Sequence, residues 1–411
     1  MSMQNLMVRV PYSIEVLSPI HIGTGQTIHN KGFVVTAGQV LIADEERLLN
    51  RVSQSVRLQA DFETFCLGEK NLQQFLSGNG IAPVEIILYT AKKLGQRVDS
   101  RRIWLFIKSP ESPPRPYIPG STLKGALRSA LLRAHLLADV QARDKAKQKV
   151  ESKFGGKAKE ADNELEKWFF GKDQHHEWVR LLEFTDTTPI STDSLGVADV
   201  RVFSASNSKG QSRSGSRGEL REKAGYSGQV FVLSPEVLLT GTKLRGHFIV
   251  NAYLTASPAK EELQFKKGEL RFKFGIQEIA ECFNRVAEDQ IAQEIAFYTA
   301  YQRDDLVGWY QSLDKRRKDL RADRLECLVR LGWGTGYDNK TVSDVFDDQT
   351  FRKIREKYDL AVGSPGRVPL SKGGTLLPKD QSPKSRKLAV MVENGKERVE
   401  PLGWAILRIE G

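Results

Sequence analysis

Pro119-Gly120 stops an extended segment, and directly afterwards Leu123, Leu127 and Leu131 recur every four residues. That spacing is one face of an amphipathic helix, and Ser121 is placed to cap its N-terminus. A leucine face has to be buried, and the flanking segments have the length and alternation of strands, so an α+β fold is expected. Lys124 and Arg128 are also four apart and project together near the helix start. Unpaired N–H groups, the positive end of the helix dipole and two long cations together make an anion site, most naturally for a phosphate. An ordinary capped helix with solvated Lys and Arg is the plainer alternative, and the rest of the chain has to decide.

The charge balance favours a polyanionic partner. The 411 residues carry a formal net charge of +11, with a sequence pI of about 9.4. No apolar run approaches the ~20 residues that cross a bilayer, and no basic helix with a bulky apolar face stands out, so no membrane partner is expected. Met1 to Val10 lacks the charged-then-apolar layout of a signal peptide. Cys66, Cys282 and Cys327 are far apart and odd in number, which fits buried thiols in a cytoplasmic protein and not a disulfide framework.

Alternation and turn residues predict strands at 8–16, 33–35, 40–42, 84–89, 103–107, 181–184, 196–203, 229–233, 243–254, 325–331, 387–392 and 404–409. Helices are expected after Asp44, over 61–77 with a break at Gly68, from 121 onward, over 142–167 with a break at Gly155-Gly156, over 272–310, and over 342–358. The chain divides into 1–240 and 241–411, with a helical insertion at about 139–180. Residues 201–228 are expected to form a projecting hairpin.

Several stretches carry candidate chemistry. Gly334, four residues, then Asn339-Lys340-Thr341 misses a phosphate-binding P-loop by one position, because Asn339 stands where the second glycine belongs. No later apolar strand ends in a magnesium-holding Asp, so nucleotide hydrolysis is not expected. A loop with Gly334, Gly336 and Lys340 still lets an extended phosphate backbone come close. Lys384, Arg386 and Lys387, with Arg201, Arg213, Arg217, Arg221 and Lys223 of the projecting segment, form a dispersed set of phosphate-seeking side chains. Trp333, Tyr337 and Tyr226 stand beside glycines and can stack on unpaired bases. His21, next to a glycine turn, is a candidate to touch RNA or to act as a general base, and a satisfied structural histidine is the plainer alternative. The adjacent pair His175-His176 diverges on a helix, and there is no Gly-x-Ser-x-Gly elbow, so neither a metal, a cofactor nor a nucleophile is expected.

Taken in order, Leu17 to Gly25, Tyr117 to Gly125, the loop 332–341, Pro383 to Leu388 and Pro401-Leu402-Gly403-Trp404 resemble the RAMP superfamily of CRISPR-associated proteins. Within it they are most similar to the fifth Csm subunit of type III-A effector complexes. The resemblance implies a ferredoxin-like (RRM-like) RAMP core with large helical insertions and a projecting β-hairpin thumb, for which 201–228 is the candidate. It implies a non-catalytic guide-RNA-binding subunit that caps a backbone of other RAMP subunits near the 3′ end of the guide RNA. That role supports guide maturation and antiviral defence, with guide RNA and complementary target RNA as partners. In such proteins the loop after the first strand and the helix start line the guide's phosphate path. This maps onto His21, Gly23, Ser121, Lys124, Gly125 and Arg128, and Lys31 and Thr122 are counted with them as RNA-binding candidates. Backbone subunits that cut target RNA carry an Asp in the first loop, and no carboxylate occurs between Gly25 and Phe33. The alternative is a RAMP endoribonuclease with His21 or His29 as general base, and a weaker one is a nucleotide switch acting through Lys340.

Overall fold

Alternation along Met7–Val16 puts Tyr12, Ile14 and Val16 on a wholly buried face, and this strand, β1, is the centre of the main sheet. The structure is a computed structural model that describes residues 7–99, 101–173, 175–206, 219–224, 230–251, 276–358 and 383–410. Behind β1 come β2 (Gly23–His29), the hairpin of β3 (Phe33–Val35) and β4 (Gln39–Ala43), and a satellite of α1 (Glu45–Ser53), α2 (Val56–Leu67) and α3 (Leu72–Gly78). Asp44 caps α1 by accepting from the N–H groups of Glu46 and Arg47, and Gly68 ends α2, both as the sequence predicts. The satellite has its own core, with Phe65, Leu72 and Phe75 at its centre.

β5 (Ile87–Lys93) and β6 (Arg102–Phe106) lead through the proline-dense connector to α4 (Gly120–Ala138), α5 (Val140–Glu151) and α6 (Ala158–Phe170). Then follow β7 (Leu182–Phe184), β8 (Leu195–Val197), β9 (Asp199–Ser206), β10 (Glu219–Glu222), β11 (Val232–Leu233), β12 (Glu236–Leu238) and β13 (Lys243–Asn251). The last part holds α7 (Ile276–Ala300), α8 (Asp304–Asp319), β14 (Glu326–Arg330), α9 (Asp348–Lys357), β15 (Ser385–Glu393), β16 (Lys396–Pro401) and β17 (Trp404–Ile409).

The main sheet runs β14-β17-β1-β13-β7, antiparallel throughout, with Tyr12 opposite both Gly246 and Ile409. The stretches 1–240 and 241–411 therefore share one sheet. α4 lies against β7, α7 lies against β14, and the two helices pack on each other. A second sheet runs β10-β9-β15-β16 and a third β12-β8-β5-β4-β3, while β2 and β6 form a separate ribbon.

Four local expectations need correction. Ser121 is not the N-cap of α4: Pro119 occupies that position, and the carboxylate of Asp186 takes the Gly120 N–H at 2.8 Å. A Cβ at Gly120 would lie 1.9 Å from the Phe184 carbonyl oxygen, so the helix starts pressed onto β7, within reach of Asp186. The helix after the glycine-rich loop starts at Asp348, not Val342, because Asp347 caps it and a 3-10 turn fills Ser343–Val345. Residues 83–86 form a 3-10 turn, so the strand expected there starts at Ile87. Cys66 is exposed, whereas Cys327 is buried. Among the described residues, no helix is long and apolar enough to cross a membrane.

Candidate nucleic-acid interface

Three stretches far apart in sequence meet at one open groove of about 350 Å³. Ile22-Gly23 comes from the turn behind β1, Thr122, Gly125 and Ser129 from one face of α4, and Gly332 to Lys340 from the loop behind β14. A Cβ on Gly125 would meet nothing within 4 Å, so the helix offers bare backbone there. Gly332 has φ +82°, and a Cβ on it would stand 2.3 Å from the His21 carbonyl oxygen. That same oxygen accepts the Trp333 N–H at 2.8 Å, which fastens the loop to the first turn. Asn339 fastens the other end: its Nδ2 donates to the Arg330 carbonyl and to Thr335 Oγ1, and its Oδ1 accepts from Gln290 Nε2 at 3.1 Å. Here an amide is needed where a P-loop needs a glycine, and no helix N-terminus follows Lys340 directly.

The wall behind the groove is built around His21, whose side chain the sequence offered to RNA. The residue is only 3% exposed. Its Nδ1 donates to the Glu236 carbonyl at 2.6 Å, and Trp104, Phe106 and Trp333 surround the ring. Burial lowers the imidazole pKa more than Glu236 raises it, so the ring is neutral at pH 7. Nε2 abuts Gly23, where a Cβ would lie 2.6 Å away. His21 is thus a positioning residue and not a surface contact. Glu236 repeats the pattern with its side chain, accepting from Tyr89 Oη, Phe106 N and Lys108 Nζ while wholly buried.

Two ammonium groups have no ion pair among the described residues: Lys340, which lines the groove, and Lys387, which stands beside the lining residue Trp333. Lys340 is exposed at the lip, and Lys387 Nζ sits 5.2 Å over the Trp333 ring. Burial, helped by the nearby Lys340, pulls the Lys387 pKa below the usual lysine range. An anion between the two would relieve that repulsion. Gly334 and Gly336 hold the loop open at φ +84° and +93°, and Gly336 is exposed.

The other cations expected at a phosphate path lie elsewhere. Arg128 is not among the groove's lining residues: it ion-pairs with Glu177 and Glu166 and stacks 4.4 Å over Phe170. Lys124 does not line the groove either, and burial depresses its pKa against the pull of Glu183 and Glu177. Lys31 donates to the Cys66 carbonyl at the end of α2. Arg201 is 2% exposed and held by Asp199, Glu222 and Glu397. Arg386 is 8% exposed, bonded to Glu294 at 2.8 Å and stacked 3.9 Å over Phe297. These two arginines are structural because burial demands a partner for each charge. Arg221 pairs with Glu219 on the exposed side of β10, while Lys223 and Lys384 are exposed and without an ion pair among the described residues. Ser121 is exposed in the first turn of α4. Arg213, Arg217 and Tyr226 fall outside the described residues. Of Lys124, Arg128, Lys340 and Arg386, only Lys340 lines this groove, and Lys387 stands near it beside Trp333. Ser129 and Asn339 were missed, although Ser129 is a helical repeat of Thr122 and Gly125.

Residues 13–337 match the RAMP superfamily, and that span is most of the chain. The chain belongs to the RAMP superfamily. Within that superfamily it is similar to the CRISPR system Cms protein Csm5 of Streptococcus thermophilus, 29% identical over 134 residues, covering 29% of this chain and 37% of that protein. The alignment thus spans little more than a third of that relative's length. A chain in a cryo-EM structure of a Csm-crRNA-target RNA ternary complex of a type III-A CRISPR-Cas system has the same fold. It aligns with TM-score 0.63 and 20% identity, over 97% of this RAMP chain and 100% of that one. The crystal structure of T. onnurineus Csm5 aligns with TM-score 0.61 and 19% identity, over 96% and 99%.

Proposed function

We propose that this RAMP protein is a guide-RNA-binding subunit of a type III CRISPR ribonucleoprotein, seated at the end of a backbone of related subunits near the 3′ end of the guide. The observation that carries this is the meeting of three RAMP stretches at one groove with Lys340 and Lys387 free to take phosphates. Likeness over nearly the whole chain to a chain of a Csm-crRNA-target RNA complex supports the same reading. The strand runs past bare backbone at Gly125 and Gly336, the lysines neutralise its phosphates, and Trp333 offers an aromatic surface beside them. The core is read as RRM-like, with α4 and α7 packed on the antiparallel main sheet, and the antiparallel pair β9–β10 is read as the base of a thumb.

The role is holding RNA, not cutting it. No carboxylate lies between Gly25 and Phe33, and His21 has both ring nitrogens turned into the protein. Tagged protein purified from cells carrying the locus is expected to bring down guide RNA and related RAMP subunits. Incubated alone with guide precursor or complementary target, it is expected to leave both intact. Purification free of RNA and of other RAMP subunits would overturn the proposal.

A further inference from the structure

Next to the groove lies a second cavity, also of about 350 Å³, between the α5–α6 insertion and the segment that follows the glycine-rich loop. Its apolar lining includes Leu165, Tyr337, Val342, Phe346, Ile354 and Tyr358. The two tyrosine rings are anchored by their hydroxyls. Tyr337 Oη accepts from Ser343 Oγ at 2.9 Å, and Tyr358 Oη donates to the Lys153 carbonyl at 3.1 Å. Its exposed polar residues are Lys159, Asp162 and Lys340. Lys340 also lines the neighbouring groove, so the two cavities share one cation.

We propose that this cavity is a nucleobase subsite, which takes one unstacked base of the strand held in the neighbouring groove. The inference rests on the RNA-binding reading above. Apolar walls with fixed aromatic rings suit the face of a base, whereas two lysines at the mouth suit the phosphates on either side of it. The cavity volume exceeds that of any single base. Asp162 supplies the acceptor for the base edge: its carboxylate can take N–H groups from guanine, adenine or cytosine amino positions. Asp162 is exposed, and partial desolvation raises its pKa against the pull of Arg128. A base amino group would satisfy this carboxylate.

Ala158 is exposed at the start of α6 and lines the cavity, so Ala158→Trp fills it with little risk to folding. The variant's thermal melt is compared with the parent's, and guide-length single-stranded RNA binding is then titrated at several salt concentrations. Losing one stacked base is expected to weaken binding about tenfold while leaving the salt slope unchanged, because no phosphate contact is lost. In parallel, RNA carrying 6-thioguanosine at successive positions is photo-crosslinked to the parent protein. One position is expected to join to Tyr337 or Tyr358 and to lose that crosslink in the Ala158→Trp variant. Parental affinity in the variant, with crosslinks only at Trp333 or other groove residues, overturns the subsite and leaves the groove reading standing. Absence of RNA binding by folded parent protein overturns both.

Discussion

Replacing Lys340 and Lys387 together by alanine tests the groove at its two free cations. Lys340 is exposed, so solvent screening holds its phosphate contact to about 1 kcal/mol, the upper end for an exposed ion pair. Lys387 is half-buried over Trp333, and a contact there is worth about 2 kcal/mol. The sum, about 3 kcal/mol, corresponds to roughly a hundredfold weaker binding at low salt. Two lost phosphate contacts on a single strand should also flatten the plot of log affinity against log salt by about 1.4. Fluorescence anisotropy of labelled guide-length RNA, from about 50 to about 300 mM salt, reads both quantities. Lys124→Ala is the control, since it removes a cation that does not line the groove and should change neither. A pH series adds a second check. The Lys387 pKa is depressed in the free protein, so as pH rises that ammonium is lost before an ordinary surface lysine's, and affinity should begin to fall early. Lys387→Arg should abolish that early fall. If the double variant keeps the parental affinity and slope, or Lys124→Ala matches its loss, the groove does not carry the RNA.

Three further outcomes follow from packing and charge. Gly332→Ala forces an L-residue to φ +82° with its Cβ 2.3 Å from the His21 carbonyl oxygen; a loss of about 2–4 kcal/mol is expected in chemical denaturation, and a parental unfolding curve would refute the close approach. Arg386→Met strands Glu294, whose carboxyl is raised by burial but pulled below its usual range by Arg386 and Arg330. The loss should be about 3 kcal/mol, since Arg330 remains, and adding Glu294→Gln should recover part of it in the same denaturation assay. Asp338 is pushed up to about 7 by burial and by Asp344, and its Oδ1 has no hydrogen-bond partner among the described residues. The folded state then binds more protons than the unfolded one between pH ~4 and ~7, so stability falls as pH rises through that window. Asp338→Asn should remove this dependence and raise the melting temperature at pH 8, by up to about 4 kcal/mol of stability. An unchanged pH profile would contradict it.

The main elements of the fold were legible wherever periodicity was strong. β1, the β3–β4 hairpin, α4 and β17 stand where alternation or the four-residue leucine spacing puts them, because each has one face that must be buried. Their assembly was not legible. Nothing local in 243–251 or 404–409 says that these segments flank β1, since pairing is decided by which buried faces fit together across more than two hundred residues. The same limit applies to the helix start: Ser121 has the right chemistry for a cap, but the close packing of Gly120 on β7 brings in Asp186 instead. At the site, sequence pointed to the three stretches that meet and to Lys340, and of the readings open for His21 the structural one, a satisfied histidine facing inward, is the one found.

The cations divide by type, and the division has a physical cause. Arg133 is held by Asp289 and Asp344, Arg201 by Asp199, Glu222 and Glu397, and Arg386 with Arg330 by Glu294. Each of these arginines ties together segments far apart in the chain, whereas Lys340, Lys384 and Lys387 have no ion pair among the described residues. A guanidinium is weakly hydrated and its planar fork matches a carboxylate in two bonds, so burying it costs less and fixes more. An ammonium is a compact, strongly hydrated charge that loses more by burial, and Lys108, buried against Glu236, is the exception here. A count of Lys plus Arg therefore overstates the charge that can reach a phosphate in a chain built like this one. The share that matters is the lysines left over after the arginines have stitched the sheets to the helices, and at the groove those are Lys340 and Lys387.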